Sequence, residues 1–142
     1  MKQDIINSTS SILIVDDNMD NIQVLGGILK SEGLDVEFAL NGQSALDWAG
    51  KQKFDIILLD INMPEMDGYE VCSHIKNDPD NNELPIIFIT TNTDPESLIK
   101  GFNSGGVDYI TKPFIKSELL ARVRTQINIK IARPDQILLK RD

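Results

Sequence analysis

Three carboxylates stand at the ends of apolar runs in this chain. Asp16 and Asp17 follow Ile12-Leu13-Ile14-Val15, and Asp60 follows Ile56-Ile57-Leu58-Leu59. If the two runs are neighbouring parallel strands, the acids converge at one edge of a sheet, where like charges repel unless a cation or protons intervene. Other residues that directly follow apolar or β-branched runs, Thr90, Thr91 and Lys112, are candidates for the same edge.

Positioning such residues takes a particular scaffold. Short β-rich runs alternate with helical patterns, which is the signature of repeated βα units around a parallel sheet. The runs Ser11 to Val15, Val36 to Leu40, Asp55 to Leu59, Ile86 to Thr90 and Asp108 to Thr111 read as strands. Most are too uniformly apolar to face water, so helices must cover both faces of a doubly wound α/β sheet. In an open sheet of this kind the site lies outside the carboxyl ends of the strands.

The helical patterns have recognisable starts and stops. A first helix is expected from Met19 to Glu32, with Ile22, Leu25, Ile28 and Leu29 buried and Gly33 just past its end. Gly26-Gly27 inside it points either to close packing or to local softness. Ala45 to Lys51 and Tyr69 to Asn77 read as the second and third helices, and Asp94-Pro95-Glu96 opens a fourth with an N-cap and a proline in the first turn. A fifth begins near Ser117, places Leu119, Leu120, Val123 and Ile127 on one stripe, and is expected to stop before Pro134. Residues 1–10 and 134–142 then read as tails or linkers around one domain, 11–133.

Composition narrows the function classes. The 142 residues, 41% hydrophobic and 25% charged, suit one globular core. A net charge of -8, from 14 basic and 22 acidic residues, argues against bulk binding to nucleic acid or an anionic membrane, and points to protein partners. No apolar stretch approaches the roughly 20 residues of a membrane span, and Met1 to Ser10 lacks the pattern of a signal peptide, so a cytoplasmic location is expected. Cys72 is the single cysteine and His74 the single histidine. The first reads as a half-buried helix residue and the second as a solvated one.

Four fragments, each after its own strand, carry a resemblance. They are Ile14-Val15-Asp16-Asp17-Asn18, Leu58-Leu59-Asp60-Ile61-Asn62-Met63-Pro64-Glu65-Met66-Asp67-Gly68, Phe88-Ile89-Thr90, and Tyr109-Ile110-Thr111-Lys112-Pro113-Phe114. Over about residues 11 to 130 the chain resembles the receiver domain of two-component response regulators. That implies a flavodoxin-like (βα)5 fold with five parallel strands in the order 2-1-3-4-5.

The resemblance also implies roles. Asp60 would take a phosphoryl group from a phosphohistidine on a sensor histidine kinase or phosphotransfer protein, or from a small phosphodonor, as an acyl phosphate. Asp17, Asp60 and the backbone carbonyl of Asn62 would ligate Mg2+, with Mn2+ as a substitute, while Asp16 acts mainly through a water on the ion. Lys112 would balance the acids at rest and pair with a phosphate oxygen afterwards. Thr90 and the aromatic Tyr109 would form the switch, and Pro113 would follow a cis peptide bond. Asn62 and Asn92 would border the path of the attacking water, and neither supplies an acid or a base. Thr91 departs from the small residue common in the family, and its bulk would slow donor entry or hydrolysis.

The implied partners extend beyond the kinase. Met19, Ile22, Pro113 and Phe114 are expected as apolar docking contacts for it. The fourth helix, fifth strand and fifth helix would form an output or homodimer face, with Lys100, Asp108, Glu118 and Arg122 pairing across it. Val107 stands where DNA-binding relatives often have an acid, which argues against their dimer. The output partner or domain lies outside these residues, which carry no DNA-binding, cyclase or phosphodiesterase motif. Two rival readings differ in chemistry. A magnesium-dependent aspartyl-phosphate hydrolase of small phosphoesters resembles an Asp-x-Asp arrangement, whereas the acids here are adjacent. A flavin module needs a hydroxyl- and glycine-rich phosphate loop, where Asp16-Asp17-Asn18 would repel phosphate.

Overall fold

The computed structural model describes residues 10–141, and side chains as far as Ile129. The five strands are β1 (Ser11–Val15), β2 (Asp35–Ala39), β3 (Ile56–Asp60), β4 (Ile86–Thr90) and β5 (Asp108–Thr111). They form one parallel sheet in the order β2-β1-β3-β4-β5. The helices between and after them are α1 (Met19–Ser31), α2 (Gly42–Lys51), α3 (Gly68–Lys76), α4 (Pro95–Ser104) and α5 (Lys116–Arg141).

Period-two alternation along the strands divides the core in two. Ile12, Ile14, Ile56, Leu58, Ile87, Ile89 and Ile110 face α1 and α5, meeting Leu25, Leu29, Leu119, Val123 and Ile127. Leu13, Val15, Ile57, Leu59, Ile86 and Phe88 face the other way, onto Ala45, Val71, Cys72 and Ile75 of α2 and α3. The central strands β1, β3 and β4 are therefore apolar on both faces, as a covered parallel sheet requires. The edge strand β2 is half exposed, and its Phe38 faces solvent.

Each of the first four helices begins on a side-chain cap that takes up otherwise unpaired N–H groups. Asn18 accepts from Asp20 and Asn21 at α1, Asn41 from Ser44 at α2, and Asp94 from Ser97 at α4. Asp67 and Glu70 form a reciprocal capping box at α3. The Asn41 cap explains why α2 starts at Gly42, three residues before the apolar periodicity becomes visible at Ala45.

Three further expectations need correction. α5 continues through Pro134 to Arg141. Proline removes only one N–H from the ladder, so a helix already anchored by Leu119, Leu120, Val123 and Ile127 can run past it. Cys72 is fully rather than half buried, its thiol donating to the Ser104 carbonyl at 3.2 Å. Burial pushes that thiol up to about 11, which makes it unreactive. Close packing, one of the two readings of Gly26-Gly27, is not what surrounds the pair: a Cβ at Gly26 would meet Ile14 and Val36 at an ordinary 3.9 Å, and one at Gly27 would meet nothing within 4 Å.

Candidate functional site

Strand register assembles the site. Val15 pairs with Leu59, so the residues that follow, Asp16 and Asp60, leave the sheet side by side. Asp60 pairs with Ile89, and Thr90 pairs with Thr111, which brings Thr90 and Lys112 to the same edge. Carboxylate oxygens of Asp16, Asp17 and Asp60 all lie within 4.8 Å of one another. Lys112 Nζ is 3.6 Å from Asp16 Oδ2 and 3.6 Å from Asp60 Oδ1.

The loop after β3 is held close beneath the site. Gly68 N–H donates to the Ile61 carbonyl at 2.8 Å. A Cβ on Gly68 would stand 2.5 Å from the Asp60 carbonyl oxygen and 2.8 Å from Ile61 Cα, both backbone atoms. Only glycine allows α3 to begin so near the end of β3. Asn62 is exposed, and its N–H donates to Asp60 Oδ1 at 3.3 Å. Met63 is buried and Met66 half-buried, as loop packing requires.

Burial sets the electrostatics. Asp16 is 0% exposed and Asp60 3%, whereas Asp17 is exposed. Loss of solvent, followed by the charge of Asp16, pushes the Asp60 carboxyl from its ordinary 3.8 up to about 6, against the opposing pull of Lys112 and the Asn62 N–H. A buried, charge-rich edge with Lys112 as its contacting cation has room for more positive charge, and its hard oxygen donors are of the type Mg2+ takes.

Thr90 is buried, and its hydroxyl is turned onto its own loop. It accepts from the Asn92 N–H at 2.8 Å and donates to the Asn92 carbonyl at 3.0 Å. Asn92 in turn reaches Ser97 Oγ at 3.2 Å, and Tyr69 of α3 donates to the Ser97 carbonyl at 3.2 Å. Tyr109 is half-buried beside a cleft shared with Ile61, Phe88, Leu98 and Phe102. The Lys112-Pro113 peptide is cis. Thr91 and Asn92 are exposed at the site rim.

The family whose model matches the chain is the response regulator receiver domain, over residues 12–124. This chain belongs to that family. The receiver domain is 39% identical over 123 residues to the response regulator PleD of Caulobacter vibrioides, covering 87% of this chain and 27% of that protein. It is 40% identical over 139 residues to a probable cyclic di-GMP phosphodiesterase of Vibrio cholerae, covering 95% of this chain and 30% of that protein. The chain thus spans less than a third of the length of these curated relatives. Among solved structures, the chemotaxis protein CheY4 of Vibrio cholerae superposes with a TM-score of 0.80 at 33% identity, over 83% of this chain and 98% of that one. A receiver domain protein of Methanospirillum hungatei superposes at 0.83 with 27% identity, over 89% and 99%.

The receiver fold carries the expected sheet order and acidic pocket. It redistributes several surface expectations. Ile22 is buried in the α1 face of the core, as its helical spacing predicts, and so cannot also dock a partner, while Met19 and Pro113 are exposed and Phe114 is half-buried. Asp108 and Arg122 are closed on each other within the chain, by two bonds of 2.7 and 2.8 Å, and Lys100 sits over the Tyr69 ring at 4.5 Å. His74 is exposed in the last turn of α3. Sequence reading missed Asn21, whose amide donates to Asp16 Oδ2 at 3.1 Å. The available signal was its place in the first turn of a helix that starts two residues after the acid pair. Among the described residues no helix is long and apolar enough to cross a membrane.

Proposed function

We propose that Asp60 of this receiver domain is the phosphoacceptor. The observation that carries the reading is the meeting of three carboxylates within 4.8 Å, with Lys112 3.6 Å from two of them. An Asp60 oxygen attacks the phosphorus of a phosphohistidine on a histidine kinase or phosphotransfer protein. The P–O bond forms as the P–N bond breaks, and the imidazole leaves with the electron pair and takes up a proton.

Asp17, Asp60 and the Asn62 carbonyl would hold Mg2+, with Asp16 supporting it; once bound, the ion neutralises charge on the transferring group and orients it. Lys112 holds positive charge at the same edge and shifts its contact from the acids to a phosphoryl oxygen. The Thr90 hydroxyl gives up its Asn92 carbonyl partner and donates to the phosphoryl group. That releases the loop leading to α4 and lets Tyr109 turn into the cleft beside Phe88. Switching is a population shift between these two packings, driven by the phosphoryl group's better contacts in one of them.

The functional unit spans residues 11–133, works in the cytoplasm, and acts on an output partner or domain outside it. It turns over no external substrate. Asn62 and Asn92 supply neither acid nor base, and Thr91 adds bulk at the rim, so self-dephosphorylation is slow. The test is intact mass after incubation with acetyl phosphate and Mg2+. A single phosphoryl adduct, absent in Asp60→Asn and with chelator, supports the reading; no adduct from any donor, or an adduct that survives Asp60→Asn, refutes it.

A further inference from the structure

Asp16 is held by neutral donors on both oxygens. Its Oδ1 accepts from the Asn18 backbone N–H at 2.9 Å, and its Oδ2 from Asn21 Nδ2 at 3.1 Å. Lys112 Nζ lies 3.6 Å from that same Oδ2, beyond direct hydrogen-bond distance, and equally far from Asp60. Asn21 is itself fixed, because its N–H donates to Asn18 Oδ1 in the cap of α1 and its side chain is half-buried. A chain of contacts therefore runs from the helix cap through one amide to the acid.

We infer that Asn21 is a positioning residue for phosphoryl transfer, its neutral amide orienting Asp16 toward the cation site and keeping Lys112 shared between Asp16 and Asp60. The inference rests on the proposed function. Its physical basis is the charge type of the donor. An amide fixes a carboxylate without cancelling the charge that attracts a cation, whereas an ammonium group in the same place would cancel it. If Asn21 is removed, Lys112 is the side-chain donor left beside Asp16 Oδ2. A charge-assisted bond there draws the lysine off the midpoint and swings the carboxylate away from Asp60 and Asp17. The groups facing Asp16 are thus Asp17, Asp60, Lys112 and Asn21, and of these side chains Asn21 orients it without altering the charge.

The test compares the full chain with Asn21→Ala. Alanine is the better helix former, so α1 persists. Mg2+ binding is read by titration calorimetry, and the acetyl phosphate adduct by intact mass across a Mg2+ series. The Mg2+ midpoint should rise roughly tenfold in both assays, the low end for loss of an outer contact to a metal ligand. The maximum at saturating Mg2+ should be largely retained. A lesion that only unfolds part of the sample lowers the maximum and leaves the midpoint alone. Wild-type binding with an unmoved Asn21→Ala midpoint overturns the inference while the phosphoacceptor reading stands. A wild-type chain that neither binds Mg2+ nor takes the adduct overturns both.

Discussion

Replacing Asp60 with asparagine should stabilise the metal-free receiver domain, and the gain should depend on pH. In the folded chain the Asp60 carboxyl titrates at about 6 instead of 3.8, because burial and Asp16 disfavour its charge. Below about pH 3.8 both folded and unfolded states carry the proton, and the group has no net effect. Between about 3.8 and 6 the unfolded state ionises first, so stability falls as pH rises, and above about 6 the loss is complete. Each tenfold difference in proton affinity between the two states is worth about 1.4 kcal/mol, so the penalty is about 1 kcal/mol at pH 4.5 and about 3 kcal/mol at pH 7.5. Asparagine resembles the protonated acid and avoids it. Urea unfolding with chelator present, followed by Trp48 fluorescence, should show the Asp60→Asn advantage growing by about 2 kcal/mol between those pH values. Adding Mg2+ at pH 7.5 should narrow the gap by stabilising only the chain with the full set of acids. An advantage that is the same at both pH values, or an asparagine variant less stable at pH 7.5, would refute the electrostatic account.

Other consequences follow from the same contacts. Lys112→Met removes the cation that holds Asp60 down, so its carboxyl rises above about 6; metal-free stability at pH 7.5 should fall and the acetyl phosphate adduct should form at least roughly tenfold more slowly, as seen by denaturation and intact mass. Gly68→Ala drives a Cβ into the backbone of Asp60 and Ile61 and should destabilise the fold by about 3 kcal/mol, with slower adduct formation. Gly27→Ala meets nothing within 4 Å in α1 and should stabilise by about 1 kcal/mol. A urea titration of both glycine variants checks the contrast, and a Gly27→Ala chain less stable than the wild type refutes the second expectation.

The elements and the acid cluster were legible because both rest on local periodicity. Uniform apolar runs such as Ile86 to Ile89 signal a strand covered on both faces, and an acid that closes such a run must sit at the sheet edge. The cap residue Asp94 marks the start of α4 by the same local logic. The start of α2 at Gly42 and the passage of α5 through Pro134 were harder, since a cap without apolar periodicity and a proline inside a helix are both settled by what the segment packs against.

By itself the sequence determined the α/β class, the residues that end strands, and hence the list of acids, hydroxyls and lysine available for chemistry. Tertiary structure alone decided their distances and their surroundings. The 4.8 Å meeting of the carboxylates depends on Val15 standing opposite Leu59, and a register shift of one residue would turn their side chains to opposite faces. The same holds for partners from separate segments. No sequence spacing says that Lys112 stands 3.6 Å back from Asp16, that Thr90 turns to Asn92, or that Asp108 closes on Arg122 instead of on a partner. Those outcomes come from packing helices against a twisted sheet, where position relative to other elements sets both contact and burial.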